Sequence, residues 1–145
     1  MRPTSIQKNL AKVILSAKPP VTKLDNTTYI INGVVSKKVA DGWVLTGRTH
    51  QHIKVCHSKA AVILPWILND RNQWRLTDRI LDLDCKYAYA LFNTENQQRL
   101  YKKFIANKEI DRALIHAVKY QQAKSAVRSI NYQILNAISN VKINK

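Results

Sequence analysis

The chain has 145 residues, with 24 Lys and Arg against nine Asp and Glu, a formal net charge of +15. A hydrophobic content of 46% supplies one core of ordinary domain size, which excludes a disordered basic tail. The longest apolar run, Ala60 to Leu68, contains Pro65 and falls well short of the roughly 18 to 20 residues that span a bilayer.

Lys and Arg are spread from Arg2 to Lys145, so the charge is displayed by a folded surface. Such a surface attracts dense polyanions through counterion release, DNA and RNA first among them. Lys8 and Lys12 interrupt the apolar positions of Met1 to Ala17, which therefore lack the apolar centre of a signal peptide. Cys56 and Cys85 are too few for a disulfide framework and read as buried thiols in a reducing compartment. A cytoplasmic protein is expected. Abundant Asn, Ile and Lys beside three Gly and four Pro suggest an AT-rich coding sequence and a phage, viral or mobile-element origin.

In chain order, Thr4 to Gln7 matches a capping box, and Ile6, Leu10, Val13, Ile14 and Ala17 follow at helical spacing, predicting an N-terminal helix that stops before Pro19 and Pro20. Asn32-Gly33 and Asp41-Gly42 each sit between β-prone runs and predict type I′ hairpin turns. The result is an antiparallel meander from about Thr27 to Val55, whose third strand continues through His52 to Val55 past a bend at Gly47. Ser58 caps a predicted helix over Lys59 to Leu68, kinked or ended by Pro65. Thr77 caps the next, with Tyr87 to Phe92 readable as helix or strand, and Thr94 to Gln97 is a second capping-box match.

Lys108 to Ser139 holds neither Gly nor Pro and predicts a C-terminal helix that protrudes from the domain. Its apolar face turns partway. Ile110, Leu114, Ala117 and Val118 lie about 135° around the axis from Val127, Ile130, Ile134 and Ile138. Either the helix breaks near Gln121 to Ser125, or its halves meet different neighbours, one of which could be another copy of the chain. The fold class is α+β in a single domain over residues 1–145: N-terminal helix, small antiparallel meander, predominantly helical C-terminal half.

Three of the four histidines fall in Thr46 to His57. On one continuous strand His50, His52, Lys54 and Cys56 would share a face. His50, His52 and Cys56 or His57 suit zinc, but the remaining candidates, Cys85 and His116, are remote in sequence. Two histidines as acid and base, with Lys54 or Arg48 beside the phosphate, would suit metal-independent RNA cleavage. The simplest reading is an exposed strand whose Arg48, His50, His52 and Lys54 contact phosphates and bases.

Within this stretch, Thr46-Gly47-Arg48-Thr49-His50-Gln51 followed by Ile53-Lys54-Val55 resembles the Gly-Arg-Thr-His-Gln-Ile-Arg-Val segment of RNA pseudouridine synthases. The resemblance covers about a dozen residues. The family's catalytic aspartate, in a His-Arg-Leu-Asp context upstream, has no counterpart, since only Asp25 and Asp41 precede the segment. His52 is an insertion that shifts the strand register, and the activity is not carried over.

Asp78, Asp82 and Asp84 could hold Mg²⁺, although Arg75 and Arg79 stand at ion-pairing spacing and favour a solvated charged face. Trp43, Trp66, Phe92 and Phe104 are assigned to the core, while Trp74 and Tyr120 are candidates for base stacking. Arg71, Arg75 and Arg79, four apart, form a phosphate-binding stripe. The expected function is non-enzymatic binding of DNA or RNA through Arg48, His50, His52, Lys54, Arg71, Arg75, Arg79, Lys102 and Lys103, with no metal or cofactor. The alternatives are a basic inhibitor or accessory factor docking on an acidic host protein, and a histidine ribonuclease.

Overall fold

A computed structural model of the chain describes residues 21–47 and 52–143. The N-terminal helix expected over Met1 to Ala17 lies outside the described residues, as do Arg48, Thr49, His50 and Gln51. Five strands, β1 (Val21–Lys23), β2 (Thr28–Ile31), β3 (Val34–Val39), β4 (Gly42–Thr46) and β5 (Ile53–Val55), form one antiparallel sheet in sequence order. Three helices follow: α1 (Ser58–Ile67), α2 (Trp74–Ala106) and α3 (Ile110–Ile138).

Asn32 and Gly33 form the predicted type I′ turn, with φ of 51° and 78° between the paired residues Ile31 and Val34. The second hairpin turns one residue earlier than expected. Val39 pairs with Gly42, so Ala40 and Asp41 make the turn, and neither has a positive φ. Gly42 instead opens β4 where the carbonyl oxygen of Val55 passes so close that a Cβ would stand 2.4 Å from it.

The expected continuation of the third strand into His52 to Val55 is not what forms. Trp43 pairs with Val55 and Leu45 with Ile53, so the chain reverses after Thr46 and β5 returns beside β4. His52, at φ 57°, precedes that strand instead of belonging to it. The alternation that would place His52 on one face with Lys54 and Cys56 is therefore broken at His52, and His50 lies outside the described residues.

α1 lies on the sheet face carrying Val34, Leu45 and Val55, and contributes Ala60, Ala61, Ile63, Leu64 and Ile67 to the core. Its cap is His57, not Ser58, and Pro65 is buried inside it, two residues before its end. α2 runs unbroken for 33 residues, about 50 Å at 1.5 Å per residue. Thr77, expected to cap it, is buried in its first turns, and Thr94 turns its hydroxyl back onto the Ala90 carbonyl at 2.7 Å without starting a new helix. Tyr87 to Phe92 is helical.

Asn107 to Glu109 reverse the chain, with Lys108 at φ 61°, and α3 returns along α2. Ala113, His116, Tyr120, Ala123, Val127, Ile130, Ile134 and Ala137 alternate at spacings of three and four along α3, the pattern of a helix packed on a partner with a slight left-handed supercoil. α3 does not break near Gln121, and it does not protrude alone, because α2 accompanies it along the hairpin. At the sheet end Ile80, Leu83, Ile134, Ala137 and Ile138 join the core under α1. Gln73 then binds both backbone groups of Lys142, donating to its carbonyl and accepting from its N–H at 2.7 Å each, which fastens the segment after α3 to the start of α2.

Gly42→Ala is expected to lower stability by more than about 2 kcal/mol in urea unfolding, because its φ of 153° already favours glycine and the Val55 backbone cannot give way. Gly33→Ala, whose Cβ would meet only Asn69 at 3.8 Å, is expected to cost about 1 to 2 kcal/mol from its left-handed backbone alone. Equal losses would remove the close approach as the cause.

Candidate nucleic-acid interface

The histidine segment leads into a buried polar junction at the start of α1. The Asp84 carboxylate, from α2, accepts the backbone N–H of Cys56 at 2.9 Å and of His57 at 2.7 Å. His57 is buried, and its Nδ1 accepts the Ala60 N–H at 3.4 Å as the cap of α1. Nε2 must then carry the proton, which it donates to Asn131 Oδ1 of α3 at 2.6 Å. Tyr87 packs edge-on to the imidazole at 4.9 Å.

Electrostatics agree with this arrangement. Burial holds the His57 pKa below the usual histidine value, in favour of the neutral ring that the hydrogen bonds require. Burial likewise pushes Asp84 up, opposed by the two N–H bonds, and pushes the Cys56 thiol up. His57 has no free ring nitrogen to bind a metal or move a substrate proton, and Cys56 is not an activated nucleophile. The junction is structural. Among the described residues no group of three His, Cys, Asp or Glu could hold a metal ion. Asp84 is buried, whereas Asp78 and Asp82 are exposed, so the acidic trio does not converge.

The predicted phosphate contacts divide. Arg48 and His50 lie outside the described residues. His52 is exposed beside β5, and Lys54 is exposed on the outer sheet face opposite Val44, ion-paired with Asp41. Arg71 precedes α2 in a short 3₁₀ turn capped by Asp70. Arg75 and Arg79 are exposed on α2, but Asp82 pairs with Lys86 at 3.4 Å instead of with either arginine, and Arg75 lies over exposed Trp74. Lys102 and Lys103 are both exposed, yet adjacent helical residues diverge by about 100° and only one can join a given stripe.

That stripe is Lys103. Arg75, Asp82, Tyr89, Asn96 and Lys103 recur every seven residues, and Arg79, Lys86 and Asn93 form the adjoining row. Lys86, Tyr89 and Asn93 line a groove between the long helices, closed on the other side by Ala123, Ala126 and Ile130 of α3, with a volume of about 420 Å³. Lys119 and Arg112 stand seven and fourteen residues before Ala126, on the same stripe of α3. One side of the hairpin thus carries Arg75, Arg79, Lys86, Lys103, Arg112 and Lys119 around an apolar groove, and Tyr89 beside it is 72% exposed.

Lys86 and Lys119 stand beside aromatics in the sequence, but neither they nor Arg112 and Tyr89 were among the expected contacts; the seven-residue spacing held the signal, and only the pairing of α2 with α3 shows which stripes meet. Phe92, assigned to the core, is 68% exposed, and Cys85, expected buried, is exposed in the groove wall. Trp43 and Trp66 do pack against the core, and Phe104 stacks on His116 near the hairpin tip, where His116 Nδ1 also meets Gln97 Oε1 at 2.6 Å. Tyr120 is partly buried under Lys124.

Searches against family models, curated proteins and solved structures returned no match. Among the described residues, no helix is long and apolar enough to cross a membrane.

The neutral His57 fixes a pH dependence. Its folded pKa lies below the unfolded one, so its contribution is complete above the ordinary histidine range and is lost as pH falls through that range toward the folded value. Thermal melts are expected to drop on going from about pH 7.5 to about pH 5.5, and His57→Asn, which retains a capping oxygen without titrating, is expected to flatten that slope. Asn131→Ala leaves the Nε2 proton without an acceptor and is expected to cost about 1 to 3 kcal/mol at neutral pH.

Proposed function

We propose that this protein binds DNA or RNA without acting on it, holding phosphates along the basic side of the α2–α3 hairpin. The observation that carries this reading is the convergence of Arg75, Arg79, Lys86, Lys103, Arg112 and Lys119 on one side of a rigid two-helix element, with Asp82 the one acid in the α2 rows. From Arg75 to Lys103 the stripe is about 42 Å long, enough to follow a backbone over several nucleotides. The net charge of +15 supplies the long-range attraction, and the stripe supplies the track.

The groove adds a preference for single strands. Its walls are the small apolar side chains of Ala90, Ala123 and Ala126 together with Ile130, bordered by the exposed ring of Tyr89. Base faces are flat and apolar, so an unpaired base can stack on Tyr89 and cover the groove while its phosphates meet the flanking cations. A duplex would offer only its phosphates. Arg75 and Trp74, stacked and exposed at the start of α2, extend the same pairing of cation and aromatic.

Fluorescence anisotropy of labelled oligonucleotides across a salt series tests this. Lys103→Ala and Lys119→Ala are each expected to weaken binding for every sequence and to lower the salt slope by about one unit, and Arg112→Ala by less, because Arg112 already pairs with Glu109 at 3.7 Å. Tyr89→Ala is expected to weaken single strands by about 1 to 3 kcal/mol and to spare duplexes. Lys54→Ala, already ion-paired on the sheet, is expected to change little. Absence of binding to bare oligonucleotides would favour the acidic-protein alternative, and RNA cleaved during the titration would revive the ribonuclease.

A further inference from the structure

The side of the hairpin that faces the core does not end where the core ends. Along α2 it runs through Ile80, Leu83 and Tyr87 and continues at the same spacing as Leu91, Thr94, Gln98, Tyr101 and Ile105. Along α3 it runs back from Ile138, Leu135 and Asn131 through Arg128, Lys124 and Gln121 to Ala117, Leu114 and Ile110. The sheet-end half of this face packs under α1 and meets His57. The tip half has no neighbour among the described residues: Tyr101, Ile105, Ile110, Leu114 and Val118 are between 36% and 58% exposed.

We infer that a second copy of this chain covers that tip half, the two hairpins pairing face to face as a symmetric four-helix dimer. Three features select a second copy over a partner of other chemistry. The rows carry no charge from Leu91 to Ile105 on α2 or from Ile110 to Gln121 on α3, and Lys102, Lys124 and Arg128 stand at the margin of the patch, so the centre of the contact is neutral although each copy bears +15 overall. An acidic partner would find its counter-charges elsewhere, because Lys103, Arg112 and Lys119 belong to the groove side. The exposed apolar side chains amount to roughly 400 Å², in the range where such patches on soluble proteins mark association sites. With the Thr94, Gln98 and Gln121 rim they approach the roughly 800 Å² per partner of a standard interface. A two-fold axis makes the same patch serve both protomers, and the turning apolar face of α3 gains its second neighbour.

This inference is independent of the nucleic-acid reading, since the two use different sides of the hairpin. Sedimentation equilibrium of the full chain over about 1 to 100 µM, in salt high enough to strip bound polyanions, is the test. The mass is expected to reach twice 16.7 kDa. Ile105→Glu with Leu114→Glu is expected to restore the monomer with an unchanged circular-dichroism spectrum, because both positions are open to solvent in one copy, and with a melt that no longer depends on protein concentration. Phe92→Ser, which removes an exposed apolar ring outside these rows, is expected to leave the dimer intact. A wild-type monomer throughout the range overturns the proposal, as does a folded Ile105→Glu, Leu114→Glu variant that still dimerises, or a dimer lost equally in Phe92→Ser.

Discussion

Asp84 is the constraint on which the rest of the architecture hangs. A carboxylate buried in a protein is costly unless its oxygens are satisfied, and here both accept backbone N–H groups at the point where β5 becomes α1. The start of a helix is where N–H groups lack partners and where negative charge is favoured. Asp84 therefore ties α2 to the strand-to-helix junction, and His57 ties the same junction to α3 through Asn131. Three elements far apart in sequence are fixed by one connected set of hydrogen bonds. Losing one member leaves another buried polar group unpaired, which penalises alternative placements of the hairpin against the sheet.

With its base fixed, the hairpin presents two unlike sides. Small residues at Ala113, Ala123 and Ala137 let the helices approach closely, and the three-and-four alternation keeps that seam aligned from the core to the tip. Because the slight supercoil keeps a seven-residue repeat in register with the seam, residues seven apart stay on one side, and cations dispersed over more than forty positions of sequence become a single stripe. The opposite side continues the core's own surface beyond the material that covers it. Charge gathers on one side of the hairpin and apolar area on the other.

Part of this was legible in the sequence. Asn32-Gly33 forms its turn as read because both residues take a positive φ locally, and the Asn32 amide adds a hydrogen bond to the Trp66 carbonyl at 3.2 Å. Asp41-Gly42 misled because the glycine meets a tertiary requirement, the passing Val55 carbonyl, which displaces the turn by one residue. Capping signatures at Thr77 and Thr94 misled in the same way: the motif supplies an oxygen, but packing along α2 keeps the helix continuous and leaves those hydroxyls inside it. The turning apolar face of α3 was visible, and of the two readings it posed the break does not occur. His57 was visible too, but its role depended on Asp84 and Asn131, 27 and 74 residues away, and no local pattern announces such partners. The basic stripe was half legible for a similar reason, since Arg75 and Arg79 share a helix, whereas Arg112 and Lys119 join them only through the hairpin.

The most direct measurement is an amide-resolved NMR titration of the uniformly ¹⁵N-labelled chain with a short single-stranded oligonucleotide. Binding along the hairpin should move the amides around Arg75, Arg79, Lys86, Tyr89, Lys103, Arg112 and Lys119 together, and leave β2, β3 and β4 in place. Shifts centred on Lys37 and Lys54 of the sheet, or no shifts at oligonucleotide excess, would contradict it.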